Sequence, residues 1–202
     1  MSSNQENLNH HQSWPTRSLI LVVLVFLLLA IVTILLTAPF AAILGPGTYA
    51  LAGAAHGLFA FFLLIVSTIA LYLAFRLFTN RIKAFPDLQL ISTVISVLSF
   101  IAICFGNWIY IPYRAATSNS PKAYFLANMP EVHRVFFEFK EYIALFTLPL
   151  SVAAAFILWR YGKELLERRD LRNLVSLLLL LHFICFTIAF GLGAAVTKLR
   201  PI

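Results

Sequence analysis

Residues 173–197 read NLVSLLLLLHFICFTIAFGLGAAVT and contain no aspartate, glutamate, lysine or arginine. A helix of about 20 apolar residues crosses the hydrocarbon core of a bilayer, which is about 30 Å thick. Three earlier stretches also lack these four residue types, at residues 18–75, 88–113 and 142–159. The chain of 202 residues is 61% hydrophobic and 11% charged, whereas soluble domains carry about 25% charged residues. The sequence therefore predicts an all-α integral membrane protein in a lipid bilayer.

The first uncharged stretch is long enough for two membrane spans, because Pro39 and the turn Gly45-Pro46-Gly47 interrupt it. We therefore expect a bundle of about five transmembrane helices. A polar N-terminal leader at residues 1–17 precedes a single transmembrane helical domain at residues 18–202. The spans are predicted at residues 18–38, 49–75, 88–112, 135–159 and 173–196.

The distribution of basic residues predicts the orientation of the bundle. The connection RYGKELLERRDLR at residues 160–172 holds five lysines and arginines, whereas residues 38–48 hold none. Basic loops are retained on the cytoplasmic side, and the connection at residues 160–172 follows the fourth of the five predicted spans. The N-terminus is therefore expected in the cytoplasm and the C-terminus outside. The basic residues of the outward connection 113–134 oppose this assignment. The predicted location is a bacterial-type inner (cytoplasmic) membrane.

Three of the predicted helices carry a polar side chain at the same depth. Counted at about 1.5 Å per residue from the charged inner ends of their helices, His56, Asn107 and Glu141 lie about 28–30 Å away, near the outer boundary. Polar groups within spans are costly and often functional. This shared depth is the main indication of a functional site.

The stretch FGNWIYIPYR, residues 105–114, forms the outer end of the third predicted span. Tryptophan and tyrosine favour the membrane interface, so an aromatic rim explains most of this stretch without any function. Asn107 lies deeper and needs a polar partner in a dry setting. Tyr110 and Arg114 complete the candidate site at this end.

The histidines suggest a haem b centre. His56 lies among small residues in LAGAAHGLFAFF, which leave room for a flat macrocycle with His56 as an axial ligand. His133 is expected at a similar depth and is the better second ligand. His182 lies about 15 Å deeper than His56. It is expected to serve a second metal centre or to hydrogen-bond a neighbour.

We therefore expect a small subunit of a membrane electron-transfer complex, with haem b or a quinone bound near the outer face. In this interpretation Arg114 holds the haem propionates. Asn107, Tyr110 and Glu141 line the pocket or exchange protons with a quinone. Any catalytic centre is expected on other subunits, so the chain is an electron-transfer or accessory subunit rather than a stand-alone enzyme.

Three alternatives remain open. The first is a cofactor-free accessory subunit of a larger membrane complex, in which the polar groups pair with one another, as Arg134 and Glu138 are expected to do at four residues' spacing. The second is a proton-coupled carrier that uses Lys140, Glu141 and His182. The third is a non-haem metal site for iron, copper or zinc, with the ligands His56, His133, Glu138 and Glu141. Nucleic-acid binding is not expected, because the basic loops are short and lie beside lipid.

Overall fold

The computed structural model describes residues 47–199, which belong to one compact unit of the chain. These residues form helices joined by short connections and contain no strand. The α-helices are α1 at Gly47–Phe78, α2 at Phe85–Tyr113, α3 at Pro121–Asn128, α4 at Glu138–Tyr161 and α5 at Arg169–Leu199. A π-helix at Val132–Phe137 leads into α4, and a 3₁₀ helix at Gly162–Leu166 follows it.

Four segments of the described chain are long and apolar enough to cross a membrane: Leu51–Phe78, Phe85–Tyr113, Val132–Leu166 and Arg169–Leu199. They correspond to the last four predicted spans, and each helix extends a few residues beyond its apolar run. The predicted leader and the span at residues 18–38 lie outside the described residues.

Local sequence explains how the long helices end. Asn80 follows α1 with a left-handed φ of 55°, a conformation that asparagine tolerates better than most residues. The Arg76 side chain donates from Nη2 to the carbonyl of Arg81 at 2.9 Å and so covers this turn. At the end of α4, Gly162 has a φ of 52°, where the absence of a Cβ removes the steric penalty.

The four long helices pack in a ring, in which α1 contacts α2 and α5, and α4 contacts α2 and α5. Hydrogen bonds between helices support this arrangement. Gln89 on α2 donates to the carbonyl of Leu158 on α4 at 2.9 Å. Ser176 on α5 donates to the carbonyl of Ala74 on α1 at 3.0 Å. Such bonds are valuable in a bilayer because lipid offers polar groups no partner.

The outer surface of the ring is apolar. Leu51, Phe75 and Tyr142 have exposed fractions of 71%, 62% and 65%. Soluble monomers rarely expose contiguous apolar patches on this scale, and such surfaces suit lipid. The apolar surface and the four span-length helices together indicate an integral membrane protein.

Candidate functional site

A cavity of about 730 Å³ lies between α1, α2, α4 and α5. This volume is within the range of about 300–1,000 Å³ typical of small-molecule sites. Small residues on three helices leave the space open: Gly53, Gly57, Ala60, Ala102, Gly106 and Gly193. Large apolar side chains, including Leu63 and Phe186, close the part of the cavity nearer mid-membrane.

His56 lines this cavity and is held in one orientation by α2. Its Nδ1 lies 2.8 Å from the carbonyl oxygen of Ala102. Because a carbonyl only accepts hydrogen bonds, Nδ1 carries the proton and Nε2 of the neutral ring keeps its lone pair. No other residue in the described range hydrogen-bonds to Nε2. A histidine oriented in this way is prepared to bind a metal or to accept a hydrogen bond from a ligand.

Gly106 allows α2 to approach His56 closely. A Cβ placed on Gly106 would lie 3.2 Å from Cε1 of His56 and 3.5 Å from its Nδ1. The imidazole therefore fits because position 106 has no side chain. At Gly57, also on the cavity wall, an added Cβ would meet nothing within 4 Å.

Lys140 brings a cation to the same cavity. Its Nζ lies 5.4 Å from the centroid of the Phe137 ring. Its stem passes Gly193, where an added Cβ would lie 3.4 Å from Cε of Lys140. Among residues 47–199, no carboxylate oxygen lies within 4.0 Å of this ammonium group. Sequence reasoning considered Lys140 only for the carrier alternative, although its helical spacing from Phe137 places both on one face.

A polar network joins the cavity to the exposed end of α2. The Tyr110 hydroxyl donates to the Glu141 carboxylate, and both residues line the cavity. The Arg114 guanidinium lies 3.6 Å from carboxylate oxygens of both Glu141 and Glu138. Nε2 of His133 lies 3.5 Å from Glu138. The network thus runs from the cavity to two half-exposed side chains, Arg114 and Glu138.

Aromatic side chains pack closely at this end of the bundle. The rings of Tyr113 and Phe137 stack with centroids 4.1 Å apart, and the Arg114 guanidinium lies over the Tyr110 ring at 4.2 Å. The Tyr113 hydroxyl hydrogen-bonds to Nδ1 of His133 at 2.9 Å. His133 is therefore engaged at both ring nitrogens.

The π-helix changes which side chains pair at this end. The expected contact was between Arg134 and Glu138, four residues apart. In the structure Glu138 instead pairs with Arg114 and with His133, which lies five residues before it. Hydrogen bonding from residue i to i+5 in a π-helix explains the shift. The Glu138 amide accordingly bonds to the carbonyl of His133.

His182 lies in a different environment from His56. It is 1% exposed, and its Nδ1 donates to the carbonyl of Thr147 at 2.9 Å. Its Nε2 lies 3.1 Å from the Ser67 hydroxyl. With both nitrogens partnered, His182 joins α1, α4 and α5, as one of the two sequence interpretations expects.

The structure brings together most of the predicted site. His56, Asn107, Tyr110 and Glu141 line the cavity. Asn107 is exposed on the surface of the described bundle. Arg114 and His133 belong to the adjoining network, and neither lines the cavity with His56. Within the described range, no group of three or more histidine, cysteine, aspartate or glutamate side chains is placed to hold a metal ion.

Comparison with known proteins gives no relative. No family model matches the chain, and neither a curated protein nor a solved structure does.

Proposed function

We propose that this protein is a small electron-transfer subunit of a membrane complex and that its cavity holds a lipid-soluble redox cofactor, a quinone or haem b, against His56. The observation that carries the proposal is the bond from His56 Nδ1 to Ala102, which leaves Nε2 available in an apolar cavity. In a largely apolar cavity, a few polar side chains that face the same space can fix the orientation of a bound ligand. This cavity has such groups.

The two cofactors would use His56 differently. For haem b, Nε2 of His56 would bind the iron, while the Ala102 carbonyl holds the imidazole in place through Nδ1. A second axial histidine would require His133 to leave Tyr113 and Glu138, so the described arrangement favours one protein ligand. A quinol would donate its hydroxyl to the same nitrogen. Glu141 and Tyr110 would stand beside either group.

The proposed setting is a bacterial-type inner membrane. The five basic residues at 160–172 support a cytoplasmic location for the end of the bundle that contains the 3₁₀ helix. The cavity and its polar network lie toward the opposite end, so the cofactor would face the outer side. Partner subunits would supply the remaining redox centres.

A cofactor-free accessory subunit is the second candidate. It is favoured by the complete pairing of His133 and His182, which shows that two of the three candidate ligands already have structural partners. In this case the cavity would be filled by lipid and the apolar surfaces would contact other subunits.

The test is to purify the full chain with its native partners, and to record optical spectra after air oxidation and dithionite reduction. An organic extract of the same sample is analysed for quinones. A sharpened α-band that is lost in His56→Ala and kept in His133→Ala supports haem b on His56. Stoichiometric quinone that is lost in His56→Ala supports a quinone. A sample with neither cofactor overturns the proposal in favour of the accessory subunit.

A further inference from the structure

The cavity contains a lysine, Lys140, that forms no salt bridge within residues 47–199 and interacts with the neighbouring Glu141 only at longer range. Lys140 has the aromatic face of Phe137 as its neighbour, and the closest glutamates, Glu138 and Glu141, pair with Arg114 instead. An ammonium group in a largely apolar cavity is costly unless something satisfies its donors. An oxygen atom of a ligand would do so.

A second polar group at the cavity also lacks a partner. Ser99 is 0% exposed, lines the cavity, and its hydroxyl makes no hydrogen bond within the described residues. Serines in membrane helices ordinarily bond to a carbonyl one turn earlier, as Ser96 does with Ser92 at 3.0 Å. Ser99 therefore offers a ligand a second polar group at the cavity wall, although Ser92, which lies outside the cavity lining, is also buried without a partner in the described residues.

The polar groups of the cavity differ in what they offer. Lys140 has only donors, whereas Nε2 of His56 is an acceptor because Nδ1 carries the proton. Both side chains line the same cavity. A ligand that alternates between a carbonyl and a hydroxyl would find one suitable partner in each form. Quinones and quinols have this property.

The shape of the cavity agrees with a ring and a tail. On α2 the lining runs from Tyr110 to Ser99, which spans about 16 Å along the helix. His56, Lys140 and Glu141 lie toward the Tyr110 end. Leu63 and Phe186 lie toward the other end, where an isoprenoid tail would be surrounded by apolar side chains.

We propose that the cavity is a quinone site in which Lys140 donates to a ring carbonyl of the oxidised form and His56 accepts from a ring hydroxyl of the reduced form. This inference rests on the proposed function and selects the quinone from its two cofactors. Lys140 is a binding residue in this assignment. Arg114 remains with its glutamates and takes no part in holding the ligand.

The experiment measures binding of decylubiquinone and, under anaerobic conditions, of decylubiquinol to the full chain in detergent by isothermal titration calorimetry. A hydrogen bond from a charged donor contributes about 1.5–3 kcal/mol, so Lys140→Met is expected to weaken decylubiquinone binding about tenfold or more. Decylubiquinol should be affected less. His56→Ala should weaken the binding of decylubiquinol more than the binding of decylubiquinone.

Three further variants make the test specific. Lys163→Met removes an exposed lysine in the connection between α4 and α5 and should change neither affinity. Lys140→Arg keeps a donor and should retain part of the decylubiquinone affinity. Gly57→Leu places a side chain into open space on the cavity wall and should abolish binding of both probes. Each variant is used only if it elutes as a monodisperse species.

The outcomes separate the two proposals. Unchanged decylubiquinone affinity in Lys140→Met overturns the assignment of Lys140 and leaves the redox subunit standing if quinone is still bound. Haem b in the purified protein, with no binding of either probe, overturns the quinone site but supports the redox subunit. Absence of both haem and probe binding overturns both.

Discussion

The two ends of the helical ring are built differently. At the end near the 3₁₀ helix, leucine and valine side chains fill the space completely, and Leu77, Leu88, Leu158 and Leu165 are each 0% exposed. At the other end, glycines and alanines leave a cavity, and charged and aromatic side chains surround it. Close packing stabilises the first end. The second end is packed less densely and retains costly polar groups, which is why the proposed site is placed there.

The largest difference between the ends should appear in stability. Leu158→Ala removes a fully buried side chain from the packed end and is expected to lower the free energy of unfolding by about 2–4 kcal/mol. Leu145→Ala removes a side chain on the cavity wall that is 56% exposed, and should cost under about 1 kcal/mol. Unfolding in SDS-containing mixed micelles measures both. Equal losses would show that the cavity end is packed as tightly as the other.

His182 and His56 should also differ in how much they contribute to stability. His182→Ala breaks the contacts with Ser67 and Thr147 and leaves a void, so a loss of about 2 kcal/mol in unfolding free energy is expected. His56→Ala breaks one hydrogen bond at a wall that is already open and should cost about 1 kcal/mol or less. The comparison uses the same micelle titration. A larger loss for His56→Ala would assign it a structural role.

A smaller effect is expected at Gly106. Gly106→Ala places a methyl group 3.2 Å from Cε1 of His56, and the imidazole must move by a few tenths of an ångström. We expect a destabilisation of about 1 kcal/mol and weaker ligand binding. Gly57→Ala, on α1 at the same cavity, is the matched control and should be tolerated, because an added Cβ there meets nothing within 4 Å. Indistinguishable behaviour of the two variants would show that His56 moves freely.

The smallest effect concerns the charges at each end. Arg114→Gln removes a half-exposed partner of Glu138 and Glu141, and should lower the unfolding free energy by about 0.5 kcal/mol. Arg168→Gln breaks the exposed pair with Asp170 at 3.1 Å and should have no measurable effect. Thermal unfolding at low and high salt checks both. A loss well above 1 kcal/mol for Arg114→Gln would mean that its network also holds the bundle together.

The architecture was largely predictable because lipid imposes it. Uncharged stretches such as residues 88–113 leave no choice but a buried or lipid-facing helix. His56, Asn107 and Glu141 line one cavity, which agrees with the proximity expected from counting along the helices.

The pairing within the site was not predictable in the same way. Counting assumes an α-helix throughout and therefore pairs Glu138 with Arg134. With the π-helix at Val132–Phe137, Glu138 pairs with His133 and with Arg114 instead. Lys140 was undervalued because no sequence pattern shows that Gly193, on another helix, leaves room for its stem. Ser99 carried no signal, because a serine in an apolar helix is ordinarily bonded to its own backbone.

The π-helix at Val132–Phe137 makes the bundle sensitive to a deletion of one residue. Deleting one residue there would restore an ordinary α-helical turn and rotate the preceding chain by about 100° relative to α4. His133 would swing away from Tyr113, while Lys140 and Glu141 would keep their positions. One inserted residue therefore sets the rotational register between the His133 contacts and the cavity. Its deletion would separate these two regions without rebuilding either of them.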